Sequence, residues 1–292
     1  MQTTTLAHPE RVSLTPQPFP IVAGLVAGLV AALIWTYWPV LPGLVAQWWN
    51  EDEYSHGFLI PIVSAYLVWT KRGELKATAV RPTFWGLVVM AMALAIYVTG
   101  IVGADLFLQR VSMVVMIAGG ILYVVGLPIL RVLAFPLGFL LLMIPLPGII
   151  FNSIAFPLQL FAAHIASTIM EACGVLVFRE GNVMHLAAVS LDVEEACSGI
   201  RSLMSLTALG LLYAYITYSS WLMRLLLLMA ITPIAIAANV FRVTMTGLLA
   251  HYASVDTALG VFHTAGGWSV FIIAAVLLLG VSRLLRVLVP AK

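Results

Sequence analysis

MRLLLLMAITPIAIAANVFRVTMTGLLAHY (Met223–Tyr252) decides the fold class. It stays apolar for longer than the roughly 20 residues a helix needs to cross a bilayer. Arg224 stands at its start, Tyr252 closes it, and one arginine, Arg242, lies inside. At a rise of ~1.5 Å per residue, Arg242 falls about 15 Å short of Tyr252. Inserting an arginine near the centre of a span costs about 2.5–3.5 kcal/mol or more, so such a residue faces a cavity and a partner. Asn239, one turn earlier, shares its face and can orient it. A structurally paired or snorkelling arginine is the plainer alternative.

The rest of the chain has the same character. Of 292 residues, 62% are hydrophobic and 9% charged, against the ~25% charged residues of a soluble domain. Mean hydropathy is +1.08. The expectation is an all-α polytopic membrane protein with about eight transmembrane helices. The expected spans are 21–41, 56–70, 84–102, 110–127, 131–144, 199–218, 223–252 and 265–285. Residues 1–20, polar and dotted with Pro9, Pro16, Pro18 and Pro20, read as a flexible cytoplasmic tail. Residues 21–288 read as one integral membrane domain and 289–292 as a short cytoplasmic tail. The run from Ile21 is long for a signal peptide and lacks a small-residue cleavage site. No basic stripe with interleaved aromatics is present, which excludes a nucleic-acid binder. Two cysteines, Cys173 and Cys197, are too few for a disulfide scaffold and leave a single bridge between them open. The histidines and cysteines lack metal-ligand spacing, so neither a metal nor another cofactor is expected.

The polar-interrupted stretch 145–198, between spans five and six, reads as an outer-face insertion. Within it, Ile149–Gly174 is either a ninth span or an amphipathic interfacial helix. The positive-inside rule chooses the second. Only if this segment does not cross do Lys71, Arg72, Lys76, Arg81, Arg131, Arg224, Arg283 and Arg286 share one side with both termini. Glu51, Asp52 and Glu53 then face outward. Val175–Val193 alternates around Arg179–Asn182 and reads as a short β-like hairpin.

EEACSGIR (Glu194–Arg201) puts a thiol at the outer start of span six. A helix N-terminus carries partial positive charge, which lowers a thiol pKa. Cys197 is therefore a nucleophile or a packing cysteine. Glu194 and Glu195 either hold a basic group or pair with Arg201, and Ser198–Gly199 lets backbone approach a carbonyl. His263, in VFHTAGGW (Val261–Trp268), falls in a loop on the same membrane side, as does His56 in YSHG (Tyr54–Gly57).

These residues in this order resemble the exosortases, which belong with the archaeosortases. The resemblance rests on EACSGIR (Glu195–Arg201), ANVFRV (Ala238–Val243) and His263 with Gly267 after it. EYSHG (Glu53–Gly57) before a short span and Lys71–Arg72, and PLP (Pro145–Pro147) leading to FPLQ (Phe156–Gln159), add to it. It implies a bacterial inner-membrane cysteine transpeptidase or peptidase with its active site on the periplasmic face. Its partners would be membrane-anchored protein substrates in the lipid bilayer. They end in a sorting signal: a Pro-Glu-Pro motif, a transmembrane helix and a basic tail. It also implies a link to exopolysaccharide production. By motif, Cys197 would be the nucleophile that carries an acyl-thioester. Arg242 would be proton donor or stabiliser of thiolate and oxyanion, and His263 transition-state stabiliser or general acid/base. Glu194, Glu195, Ser198, Arg201, Asn239 and His56 would support them. The competing readings are a transporter or lipid-handling protein whose Arg242 binds an anionic head group, and a scaffold of a polysaccharide-export complex.

Overall fold

Proline, glycine and long apolar runs divide the chain into helices. The computed structural model describes residues 19–187, 189–192, 198–255, 257–258 and 266–288. Helix α1 (Phe19–Tyr37) breaks at Pro39, which offers no amide to the helix ladder, and resumes as α2 (Val40–Asn50) at a 61° bend. The sequence expectation of one span ending at Leu41 therefore misses α2. A 3₁₀ segment, Asp52–Phe58, leads into α3 (Leu59–Thr70) and the short α4 (Arg72–Ala77). Helices α5 (Trp85–Val102) and α6 (Leu106–Val124) form an antiparallel pair. Gly86 lies against the Tyr123 backbone, Gly119 against Met90 and Gly100 against Gln109, so missing side chains let the two backbones close up along their length. Helix α7 (Leu127–Phe139) runs on into a 3₁₀ turn, Leu140–Met143. Helix α8 (Gly148–Ala172) precedes strands β1 (Val177–Glu180), β2 (Val183–Leu186) and β3 (Ser190–Asp192). Helices α9 (Ser198–Thr217), α10 (Trp221–Tyr252) and α11 (Gly266–Leu288) follow.

The expected hairpin is an antiparallel three-stranded sheet. Val177 pairs with Leu186 and Met184 with Leu191. Its buried face, through Met184, Leu186 and Leu191, packs with Met170 of α8 and Val240 and Val243 of α10.

By length and composition, α5, α6, α8, α10 and α11 can each cross a bilayer, and the bent α1–α2 pair makes a sixth candidate. Helix α3, at 12 residues, is short for a span, and so are the apolar stretches Leu127–Met143 and Leu203–Thr217. Length alone thus supports fewer passes than the expected eight. Large apolar side chains such as Ile62, Val98, Ile101 and Val276 point outward, as a bilayer solvent requires.

Side-chain contacts order the helix ends into two poles. At one, Arg224 at the start of α10 donates to the carbonyls of Tyr218 and Tyr215, at 2.7 and 3.3 Å. Lys71, following α3, sits over the Tyr215 ring, and Arg286 of α11 over the Tyr218 ring. Arg81 bridges to Gly126, tying the start of α5 to the end of α6 and the start of α7. Helix α4 packs on α7, joining the two groups. Helix α1 runs antiparallel to α6, because Leu29 meets Gly120 while Tyr37 meets Ser112. Its first turn, like the last turn of α11, therefore lies at this basic pole. Glu51, Asp105, Glu171, Glu180 and Asp192 lie toward the other.

Both ends of α8 lie at the acidic pole. Pro145–Gly148 adjoins the α5–α6 turn, Gly103–Phe107, across a shared recess. At the far end the Tyr252 hydroxyl, where α10 finishes, donates to the Cys173 carbonyl at 2.6 Å.

A Cβ added to Gly86 would overlap the Tyr123 backbone, whereas one added to Gly43 meets nothing within 4 Å. Gly86→Ala should cost about 1–3 kcal/mol by prising α5 from α6. Thermal unfolding in detergent reads this as a lowered midpoint, with Gly43→Ala unchanged. Equal midpoints for the two variants would refute the close packing.

Candidate functional site

Three helices fix the level at which the candidate residues meet. Gly210 of α9 packs on Ile231 of α10 and Leu278 of α11. Ser282 of α11 is fully buried and bonds the hydroxyls of Tyr213 (3.0 Å) and Tyr218 (2.6 Å) of α9. Helices α9 and α11 are therefore parallel to each other and antiparallel to α10. Twelve residues back from Gly210 and from Leu278 are Ser198 and Gly266, the first residues of α9 and α11; twelve on from Ile231 is Val243, beside Arg242. The N-terminal ends of α9 and α11 thus arrive at the level of Arg242.

Arg242 also faces them. Ala235, Ala238 and Arg242 share one helical stripe, and Ala235 and Ala238 pack in the cluster built from α9, α10 and α11. Arg242 is 9% exposed and Asn239 6%. Neither is free; each has an interaction partner. Thr246 donates to the Arg242 carbonyl at 2.9 Å. A buried guanidinium and two helix N-termini at one level make an electropositive spot, suited to stabilising a thiolate or an oxyanion.

Helix α10 has 32 residues, more than a bilayer requires. Measured from Arg224, Arg242 stands about 27 Å along the helix axis, against a hydrocarbon thickness of ~30 Å. With Arg224 at one boundary of such a layer, Arg242 falls near the other and the last turns of α10 extend past it.

Cys197, Glu194, Glu195 and His263 lie outside the described residues. In the sequence Cys197 directly precedes Ser198, and His263 comes three residues before Gly266. Ser198 and Arg201 lie in the first turn of α9. Cys173 is a free, exposed thiol at the end of α8.

His56 joins the neighbourhood from the 3₁₀ segment. Its Nε2 meets the Leu142 carbonyl at 3.3 Å and its Nδ1 the Ser205 hydroxyl at 3.3 Å. Both nitrogens are committed, so His56 acts as a pin between the end of α7 and α9. Ser205 lies two turns after Ser198 on the same face of α9. Sequence reasoning did not single out Ser205, although its spacing from Ser198 and Arg201 was the available signal. The pin is braced by Trp48, whose Nε1 donates to the Met143 carbonyl at 2.8 Å. Its indole occupies the space where a Cβ on Gly57 would stand.

A cleft of about 510 Å³ opens between α8 and α10, walled by Phe161, Ile165 and Ile169 on one side and Ala237, Phe241 and Met245 on the other. It is apolar and runs alongside the Arg242 turn. Thr244 borders it, 4% exposed, and its hydroxyl has no hydrogen-bond partner.

Fold and site together define a polytopic helical membrane protein with a buried cationic centre where two helices begin. The family model of the transmembrane exosortases matches residues 48–280, and the chain belongs to that family. No curated protein and no solved structure matches it.

Thr244→Val removes an unpartnered buried hydroxyl while keeping the shape. It should be neutral or stabilising by up to about 1–2 kcal/mol. A fall in the thermal midpoint would show that the hydroxyl is bonded in the folded protein.

Proposed function

We propose that this exosortase is a membrane cysteine transpeptidase or peptidase that cleaves the C-terminal sorting signal of membrane-anchored proteins. The Cys197 thiolate attacks the scissile carbonyl carbon and forms a tetrahedral oxyanion. Collapse breaks the C–N bond; the departing amine takes up a proton and the acyl group stays on sulfur as a thioester. An amine or water then attacks the thioester carbonyl, and the thiolate leaves. Arg242 keeps its charge throughout the physiological range and stabilises thiolate and oxyanion. His263 moves the proton, since imidazole titrates near neutral pH. Glu194, Glu195, Ser198, Arg201 and Asn239 support these three, and His56 positions α9.

The observation that carries this reading is the convergence of the α9 and α11 N-termini on buried Arg242, with Cys197 one residue and His263 three residues before those helices in sequence. Family membership supports it independently.

The orientation follows from the poles. The basic pole is cytoplasmic by the positive-inside rule. The chain then makes eight passes, through α1–α2, α3, α5, α6, α7, α9, α10 and α11, with both termini inside. Helix α8 begins and ends on the acidic side, so it adds no pass, while its second half packs beside α10 from Ala237 to Met245. In a bacterium this membrane is the inner membrane and that face periplasmic. The apolar cleft between α8 and α10 gives a substrate helix a lateral approach to the Arg242 turn.

Cys197→Ala and Cys197→Ser should each lower processing of a tagged sorting-signal substrate by at least about a hundredfold, with unchanged membrane levels. Arg242→Lys keeps the charge but loses the planar fork, and should cost about 10–100-fold. Wild-type rates in Cys197→Ala would end the enzyme reading. In that same variant, Cys173 should react with a membrane-impermeant maleimide added from the periplasm. Labelling only from the cytoplasm would reverse the topology.

A further inference from the structure

A second buried arginine lies away from the site just described. Arg110 sits near the start of α6 at the acidic pole and is 2% exposed. Its Nη1 donates to the Gln47 side-chain oxygen, and its Nε has no partner. Among the described residues no carboxylate comes within ion-pair distance of it. Glu51 is engaged by Gln47, whose Nε2 donates to it at 3.0 Å. Asp105 is committed to its own helix, accepting from the amides of Phe107 (2.8 Å) and Leu108 (3.1 Å).

Arg110 borders a polar recess of about 390 Å³, bounded by the Gly103–Phe107 turn, Gln47 and Pro145–Gly148. The recess also receives the N-terminus of α8, which no side chain caps. Arg110, whose buried Nε has no partner, and the uncapped start of the 25-residue α8 therefore border one recess. That pairing calls for an anion with several acceptor oxygens, and a phosphate meets it.

The rim indicates the source of that phosphate. Leu106 lines the recess, and Val102 and Ile149 adjoin its lining residues Gly103 and Gly148 in the chain; Val102, Leu106 and Ile149 are 83%, 52% and 88% exposed. All three are apolar side chains exposed next to residues of the recess, and a collar of them is inferred from that adjacency. An isolated ion gains nothing from such a collar, whereas a phospholipid lays its acyl chains on it.

We propose that the Arg110 recess is a phospholipid site that takes the phosphate of a lipid in the leaflet at the acidic pole. The guanidinium and the first amides of α8 hold the phosphate, and Val102, Leu106 and Ile149 carry the chains. This site is independent of the chemistry assigned to Cys197.

The test uses the full chain in a neutral detergent, titrated with phosphatidylglycerol and followed by native mass spectrometry. Binding should saturate, and a neutral galactolipid with the same chains should bind at least about tenfold more weakly. Millimolar inorganic phosphate should not displace the lipid. Arg110→Gln and Gly148→Asp should each weaken phosphatidylglycerol by at least about tenfold. Gly148 is exposed and a Cβ there meets nothing within 4 Å, so its variant keeps the fold if Arg110→Gln does not. Affinity within about threefold of wild type in either folded variant overturns the site. Equal binding of the galactolipid overturns the phosphate assignment, and displacement by inorganic phosphate overturns the lipid assignment.

Discussion

The hydroxyl of Ser282 sets the geometry on which the rest depends. It is fully buried and holds two tyrosines of α9, with Tyr218 also donating to the Ser282 carbonyl at 2.8 Å. Apolar faces in a bilayer slide easily, because the lipid is as good a neighbour as another helix. Polar bonds within such a face cannot be exchanged for water, so they fix the register. A slip of one turn, ~5.4 Å, would break all three and carry the start of α11 away from Arg242. Gly210 adds a steric stop, since Ile231 and Leu278 both fill the space beside it.

The second constraint is electrical. Lysines and arginines at the basic pole are held by rings and carbonyls: Arg72 stacks over Trp69 and Arg224 over Tyr215. These contacts let charge and hydrocarbon meet at a fixed depth. At the other pole, Arg110 and Arg242 are buried. Cations there cannot be explained as anchors to the cytoplasmic surface. On the functions proposed above, each meets an anionic group or a developing charge.

The sequence made the apolar helices legible, because hydropathy and length are sufficient for a bilayer solvent. The alternation from Val183 also marked β2 and β3 correctly. Three features were not legible. Helix α2 is hidden because its composition continues that of α1, and only the backbone effect of Pro39 separates them. Helix α8 is apolar and long enough to cross, so hydropathy does not fix its course, and the contacts at its two ends join it to residues far away in sequence. The pin through His56 and Ser205 joins residues 149 positions apart, a pairing that no local pattern encodes. In the candidate site, motif order pointed to Arg242, but only the helix registers show that α9 and α11 begin at its level.

Those registers also bear on how one site could serve two half-reactions. With Arg224 at one bilayer boundary, Arg242 falls near the other, on a helix that runs about 15 Å beyond it. Deeper burial would strengthen its field but would exclude the water or amine needed to release an acyl group. Full exposure would admit water and screen the charge. At the boundary, the α9–α11 cluster shields the guanidinium from one side, while the acidic pole opens toward solvent on the other. On the reaction proposed above, an anchored substrate would approach through the apolar cleft beside Phe241 and Met245 while the second nucleophile comes from water. On this view the length of α10 separates two routes of approach: hydrocarbon for the acyl donor and solvent for the acceptor.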